Sequence, residues 1–423
     1  MTPALSFAAL FLSIFLVQMG SGSLGPLDAL AGAARGFATE EIGLMGSAHF
    51  LGFLLGCWAT PRLIGRVGHS GCFAAAAAIG ATGALLHPVL EGPLMWSALR
   101  VPTGIAVAAA YTVVESWMQA KVRNAERGRV FGAYRVIELL GQVASQGMIA
   151  VLDPLSYAAY NIVAIFCCLC LLPLALTRAV PPKTPTAPRL RPLAAARLSP
   201  TACAAIVVAG MTSAAFRMVG PIYGVEIGLG QGEIAAFLMV AVMGAAAAQY
   251  PVGWLADKFD RRFVLIGLSL ATFASTGMLV GAAEAGRLEA ILFGAFLFGA
   301  TSWPVFSVAS AYANDFASAD FVVELNAGLL LFFSLGAIAS PTISAALIAA
   351  YGPGALFAYV GAMHLALVGF ALYRTSRRPA AEQTVPYRYM PRTSLVLARL
   401  LKRDNEAGQA AARDPEPEGD RRT

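Results

Sequence analysis

Asp28, Arg100, Glu115, Arg135, Glu138 and Arg217 stand inside apolar runs of the chain. A charge in hydrocarbon costs about 2.5 kcal/mol or more unless it is paired or hydrated, so each is a candidate site residue. Their spacing groups them. At 100° per residue, Arg100, Tyr111 and Glu115 stay within about 60° of one another and form one polar stripe. Arg135, Glu138, Gln142 and Gln146 recur at steps of three and four. Arg135 and Glu138 can therefore pair within one helix. Alternatively Glu138 carries a proton, with Glu115 and Asp28 as the other carboxylates able to do so. Ser21 shares the face of Asp28, and Gly210 and Ser213 share that of Arg217. Trp303, Ser307, Ser310 and Asn314 follow at steps of four, three and four, a polar wall for a cavity. Two arginines, Arg100 and Arg217, against one aspartate, Asp28, leave a net positive site whose forked donors suit carboxylate or phosphate. Asp28 and Arg100 can also neutralise each other. His49, His87 and His364 stand singly on apolar stretches and read as packing residues. Cys167, Cys168 and Cys170 have no His or carboxylate on their helix, so neither a metal nor another cofactor is expected.

The elements that must hold these groups are membrane helices. Of 423 residues, 58% are hydrophobic and 13% charged, and the mean hydropathy is +0.67, too little polar material to cover a water-facing surface. A bilayer core needs roughly 20 apolar residues per helical span. Spans are predicted at 4–32, 42–60, 71–90, 93–119, 130–152 and 155–177. A second set follows at 201–227, 234–250, 263–282, 289–313, 322–347 and 355–373. The alternating ten-residue segments of a membrane barrel are absent, and the first run reads as a retained span.

With twelve spans the connecting segments alternate between faces, and 25 of the 30 lysines and arginines fall on one of them. Positive charge resists translocation, so that face and both termini are expected in the cytoplasm. The net charge of +6 then needs no nucleic-acid partner. Residues 178–200, rich in Pro and Arg, divide the chain into a first bundle (1–177) and a second (201–373), with a disordered polar tail at 374–423. Within the tail, 392–403 could lie as a short basic amphipathic helix on the membrane. The halves share local matches at offsets of 195 and 192: Gly25-Pro26-Leu27 with Gly220-Pro221-Ile222, and Glu41-Ile42 with Glu233-Ile234. Proline removes a helical hydrogen bond, so kinks at equal depth are expected at both Gly-Pro pairs.

The stretch GWLADKFDRR from Gly253 carries three basic and two acidic side chains in ten residues. It resembles the loop signature of the major facilitator superfamily, with Gly253, Asp257, Lys258, Arg261 and Arg262 in place and Asp260 where the family has glycine. The first-half copy, PRLIGRVGHS, keeps Arg66 and Gly68 but has Gly65 for the family's aspartate. Arg100-Val-Pro-Thr-Gly104 matches the family's Arg-x-x-x-Gly, and VESWMQAKVRNAERGRVFGAY from Val114 resembles the YcaD-like branch. The resemblance covers residues 5 to 375. It implies an all-α membrane protein of twelve transmembrane helices in two pseudo-symmetric six-helix bundles, with spans 1, 4, 7 and 10 around a central cavity. Asp28, Arg100 and Arg217 would then share one water-filled space. It also implies a gating loop. Asp257 would meet the positive N-terminal end of span 5, beside Arg127 and Arg129, when the cytoplasmic side is shut. Asp320 and Glu324 could substitute for the missing aspartate.

The expected function is secondary transport of a small organic solute by a monomer in the bacterial cytoplasmic membrane. It would work by alternating access and proton coupling, with a lean to anionic or zwitterionic cargo. A drug or metabolite efflux antiporter and a non-transporting sensor are the alternatives. An enzyme would need a set such as H-E-x-x-H, and a primary pump a Gly-rich phosphate loop; the sequence has neither.

Overall fold

The structure, a computed structural model, describes residues 3–122, 126–176, 191–318, 320–375 and 377. Among them every regular element is a helix. The first half contains α1 (Pro3–Ala34), α2 (Thr39–Leu86), α3 (Pro93–Lys121), α4 (Arg127–Ile149), α5 (Tyr157–Leu169) and α6 (Leu171–Ala175). A short α7 (Pro192–Leu198) leads into α8 (Pro200–Glu226), α9 (Gln231–Lys258), α10 (Arg261–Glu284), α11 (Leu288–Ser302), α12 (Pro304–Asn314), α13 (Val322–Tyr351) and α14 (Ala355–Thr375).

Ten helical stretches of the described residues are long and apolar enough to cross a membrane. At 48 residues α2 is long enough to cross twice, and α4 falls short only because Arg135, Glu138, Gln142 and Gln146 dilute it. Twelve crossings result, but three boundaries differ from expectation. The loop expected between 60 and 71 is helical, broken only at Gly68, whose φ of 75° few other residues adopt. The predicted sixth span divides into α5 and α6, and the predicted tenth divides at Trp303. There Pro304 offers no N–H to the preceding turn, and the Trp303 amide reaches the Gly299 carbonyl only at 3.5 Å. The helices α1 and α8 run on through Pro26 and Pro221 without an interruption. Residues 177–190 of the linker and most of the tail, including 392–403, lie outside the described residues. The end of the linker is ordered as α7, with Ala195 against Gly328 of α13 and Arg191 3.3 Å from Glu324.

Each half is knitted by close helix pairs. Gly52 of α2 faces the Val101 carbonyl of α3 and Gly104 faces the His49 carbonyl, too near for any Cβ to fit. In the second half, Gly244 of α9 faces the Phe296 carbonyl of α11, and Gly299 faces the Ala241 carbonyl. These two glycines stand at the same offsets, 192 and 195, that relate the other matches between the halves. In lipid, such small residues let backbones touch where hydrophobic burial gives no driving force. Gly52→Val is expected to abolish the monodisperse peak of the detergent-solubilised protein in size-exclusion chromatography. Gly132→Ala, with nothing within 4 Å of its Cβ, should leave the peak intact.

The halves meet at the end remote from the arginine-rich loops. Ser47 of α2 lies 2.7 Å from Thr342 of α13. Gln231, opening α9, donates its side-chain amide to the carbonyls of Ile149 and Leu152 at 2.6 and 2.5 Å. Met218 of α8 packs against Gly46.

At the arginine-rich end the charged knot is used within the second half. Arg261, buried, donates to Asp315 at the end of α12 at 2.5 Å and lies 3.3 Å from Asp257. Arg262 donates to Asp260 at 2.6 Å, and Asp260 caps α10 by accepting from the Arg262 amide. Asp257 is half exposed, Arg129 is exposed, and the Arg127 side chain lies outside the described residues. Partial burial raises the Asp260 carboxyl, but the Arg262 hydrogen bonds and charge outweigh that and hold it below its ordinary value. A depressed carboxyl stabilises the fold above its unfolded pKa of about 3.9, and the contribution is lost as pH falls through the folded value. Asp260→Asn should therefore lower the melting midpoint slightly at pH 7, the difference shrinking towards pH 3.

Candidate functional site: a cavity between the halves

A cavity lies between the two halves, with about 120 Å3 of room for water-sized molecules. At roughly 10–15 Å3 per water it holds about ten of them. Its walls differ. The first half contributes Gln18 and Ser21 from α1, His49, Phe50 and Phe53 from α2, Tyr111 from α3, and Arg135, Glu138, Gln142 and Gln146 from α4. The second half contributes Ser213, Phe216, Arg217 and Met218 from α8, Leu238 and Val242 from α9, Trp303 at the α11–α12 break and Phe333 from α13.

Arg135 and Glu138 pair along α4 at 2.5 Å. Arg217 is different: among the described residues its guanidinium has neither an ion pair nor a hydrogen bond. It projects from a helix whose other wall residues are Ser213, Phe216 and Met218. His49 Nδ1, also on the wall, is buried without a hydrogen-bond partner among the described residues.

Asp28 and Arg100 are not on this wall, which corrects the expectation that they share one wet space with Arg217. Both are 2% exposed, 3.4 Å apart, and His87 Nε2 lies 3.2 Å from the same Asp28 oxygen. His87 in turn stacks on Tyr160 at 5.9 Å and meets Trp96 edge-on at 5.2 Å. Met218 separates this cluster from the cavity, with its sulfur 3.7 Å from Arg100 Nη2. A Cβ on Gly25 would stand 3.3 Å from the same nitrogen, so Gly25 admits the guanidinium to α1. Desolvating both charges together is cheaper than desolvating either alone, which is why the pair closes on itself instead of facing water. The same cluster overturns the reading of His87 as plain packing. His364 likewise makes a polar contact, with Thr212 at 3.1 Å.

Four more expected cavity residues, Asn314, Ser310, Ser307 and Glu115, lie off its wall. Asn314 and Asn326 exchange amide hydrogen bonds at 2.9 and 3.2 Å, and Ser310 donates to Asn326 at 3.0 Å, clamping α12 to α13. Ser307 is 1% exposed and away from the cavity. Of that stripe only Trp303 reaches it, because the helix breaks there. Glu115 is fully buried and accepts from the Tyr134 hydroxyl at 3.0 Å. The sequence reading overlooked Met218, Asp315 and Gln231. The first looks like any core methionine, and the others reveal themselves only through partners 54 to 82 positions away.

Two like bundles of membrane-crossing helices around a polar cavity sealed at one end define a secondary transporter rather than an enzyme. The chain belongs to the Major Facilitator Superfamily, whose family model matches residues 10–248 and again 201–407. The uncharacterized MFS-type transporter YcaD of Escherichia fergusonii is 28% identical over 359 residues, 83% of this chain and 91% of that one. A crystal structure of the nucleoside transporter NupG, in mutant form, superposes with a TM-score of 0.76 at 12% identity, covering 88% of this chain and all of that one. The D-xylose-proton symporter superposes at 0.69 and 14% identity, covering 90% and 99%.

Proposed function

We propose that this transporter moves a small organic anion or zwitterion by alternating access, coupled to protons, with Arg217 as the charge that binds the cargo. The observation that carries the reading is the Arg217 guanidinium, on the cavity wall with no ion pair or hydrogen bond to any described residue and only the through-space attraction of Tyr111 and Glu138. A guanidinium kept there unpaired is costly, and a carboxylate or phosphate is the group its forked donors fit. Glu138, on the same wall beside Arg135, is the carboxylate best placed to exchange a proton with the cavity. Asp28, buried against Arg100 and His87, and Glu115, buried against Tyr134, serve as internal carboxylates.

The protein acts as a monomer in a bacterial inner membrane, with the arginine-rich end and both termini in the cytoplasm. The seal at the far end then corresponds to a state closed to the outside. When the cytoplasmic end shuts in turn, Asp257 docks against the N-terminal end of α4 near Arg127 and Arg129. Drug-sized ligands fill pockets of about 300–1,000 Å3, against about 120 Å3 here, which favours a metabolite over a drug.

Uptake into proteoliposomes under an imposed proton gradient tests this. Accumulation of small organic acids that collapses on adding a protonophore is expected, and Glu138→Gln should leave exchange intact while removing gradient-driven accumulation. Equal flux of charged and neutral analogues, indifferent to the gradient, would refute it.

A further inference from the structure

We propose that the cargo is a compact planar anion with an amide-type hydrogen-bonding edge, its charge on Arg217 and its edge on Gln142 and Gln146. The inference rests on the anion reading above and names the class of anion. Its basis is the contrast between the two walls. Gln142 and Gln146 sit one turn apart on α4, so their amides lie on one side of the helix. Gln18 of α1 is on the same wall. All three are more than nine-tenths buried. Gln18 and Gln142 make no side-chain hydrogen bond to any described residue. The Gln146 oxygen has no donor, and its nitrogen reaches the Gly22 carbonyl and the Ser145 hydroxyl only at 3.4 Å.

Buried polar groups are ordinarily hydrogen-bonded; the Gln18 and Gln142 amides and the Gln146 oxygen, free to meet water in the cavity, suit a ligand edge that both donates and accepts. A ring –NH–C(=O)– edge does both in the plane of the ring. Apart from Arg217 and the Ser213 hydroxyl the opposite wall is mainly apolar: Phe216, Leu238, Trp303 and Phe333 line it, three of them aromatic. Aromatic side chains take a flat ring by offset stacking or edge contact. A polyol would turn some of its hydroxyls onto those apolar side chains. Room for about ten waters limits the molecule to a single small ring with one charged substituent.

Orotate (edge and carboxylate), benzoate (carboxylate without the edge) and uracil (edge without the charge) separate the two requirements. Isothermal titration of the purified full-length protein in nanodiscs is expected to give orotate at least a tenfold tighter Kd than either of the others. Gln142→Leu should erase the margin over benzoate, and Arg217→Gln should erase the margin over uracil. Gln146→Leu serves as a second edge variant, and an unaltered melting midpoint without ligand confirms that each variant is folded. If benzoate equals orotate, the edge inference fails and the anion reading stands. If uracil equals orotate and Arg217→Gln changes nothing, the anion reading itself fails. If none of the three binds at millimolar concentration, the planar class is wrong.

Discussion

Arg217→Gln is expected to reduce transport of the anionic cargo by about thirtyfold or more while leaving the fold intact. Truncating one partner of a buried charge pair costs about 2–5 kcal/mol, and each 1.4 kcal/mol is a factor of ten in affinity. The loss should appear as a raised half-saturation concentration, because glutamine keeps the shape and some donors but not the charge. Stability should hold, since Arg217 makes no ion pair and Glu138, the carboxylate acting on it, keeps Arg135 as its partner. Arg217→Lys restores charge without the fork and should recover only part of the affinity. Uptake by Arg217→Gln at the native rate and half-saturation, at equal protein in the vesicles, removes Arg217 from the cargo site.

The second large effect lies behind Met218. Asp28→Asn is expected to destabilise the protein by about 3–5 kcal/mol, because it leaves Arg100 buried and charged without its carboxylate. Arg100 is 2% exposed, and the sulfur of Met218 is a weak substitute acceptor. The reverse single variant, Arg100→Met, strands the carboxylate with Tyr160 and His87 beside it and should cost a similar amount. The double variant Asp28→Asn/Arg100→Met removes both charges, and most of the lost stability should return. Thermal unfolding of the four proteins in one detergent measures the cycle. Single variants that melt like the parent, yet lose gradient-driven transport, would assign the pair to coupling instead of cohesion.

These two residues also show what one chain discloses and what it conceals. The fold was legible because it is written in quantities that survive without partners: apolar runs of membrane length, the one-sided distribution of arginines and the loop motifs. Charges inside those runs could likewise be singled out by type alone. Which of them face water could not, because that depends on rotation about each helix axis and on a neighbour's side chain. Asp28 and Arg100 share an apolar setting with Arg217 in the sequence, yet His87, 59 residues beyond Asp28, and Met218, 118 beyond Arg100, take the first two out of the cavity. The stripe from Trp303 to Asn314 failed for a related reason. Periodicity assumed one unbroken helix, and Pro304 breaks it at the first residue of the stripe. The polar stripe of α4 stays together on the cavity wall because Arg135, Glu138, Gln142 and Gln146 sit on one regular helix, and a single rotation places them all.

The seal between the halves joins the close packing of Gly43 and Gly46 on Pro341 and Met218 to polar contacts that are light. Ser47 with Thr342, and Gln231 with two carbonyls, are contacts between uncharged groups. Each exchanges for water at a net cost of about 1 kcal/mol. A door held this way has no strong polar latch to break. The ion gradient is then free to set which way the traffic runs, and the energy it supplies goes into direction, not into prying the gate apart.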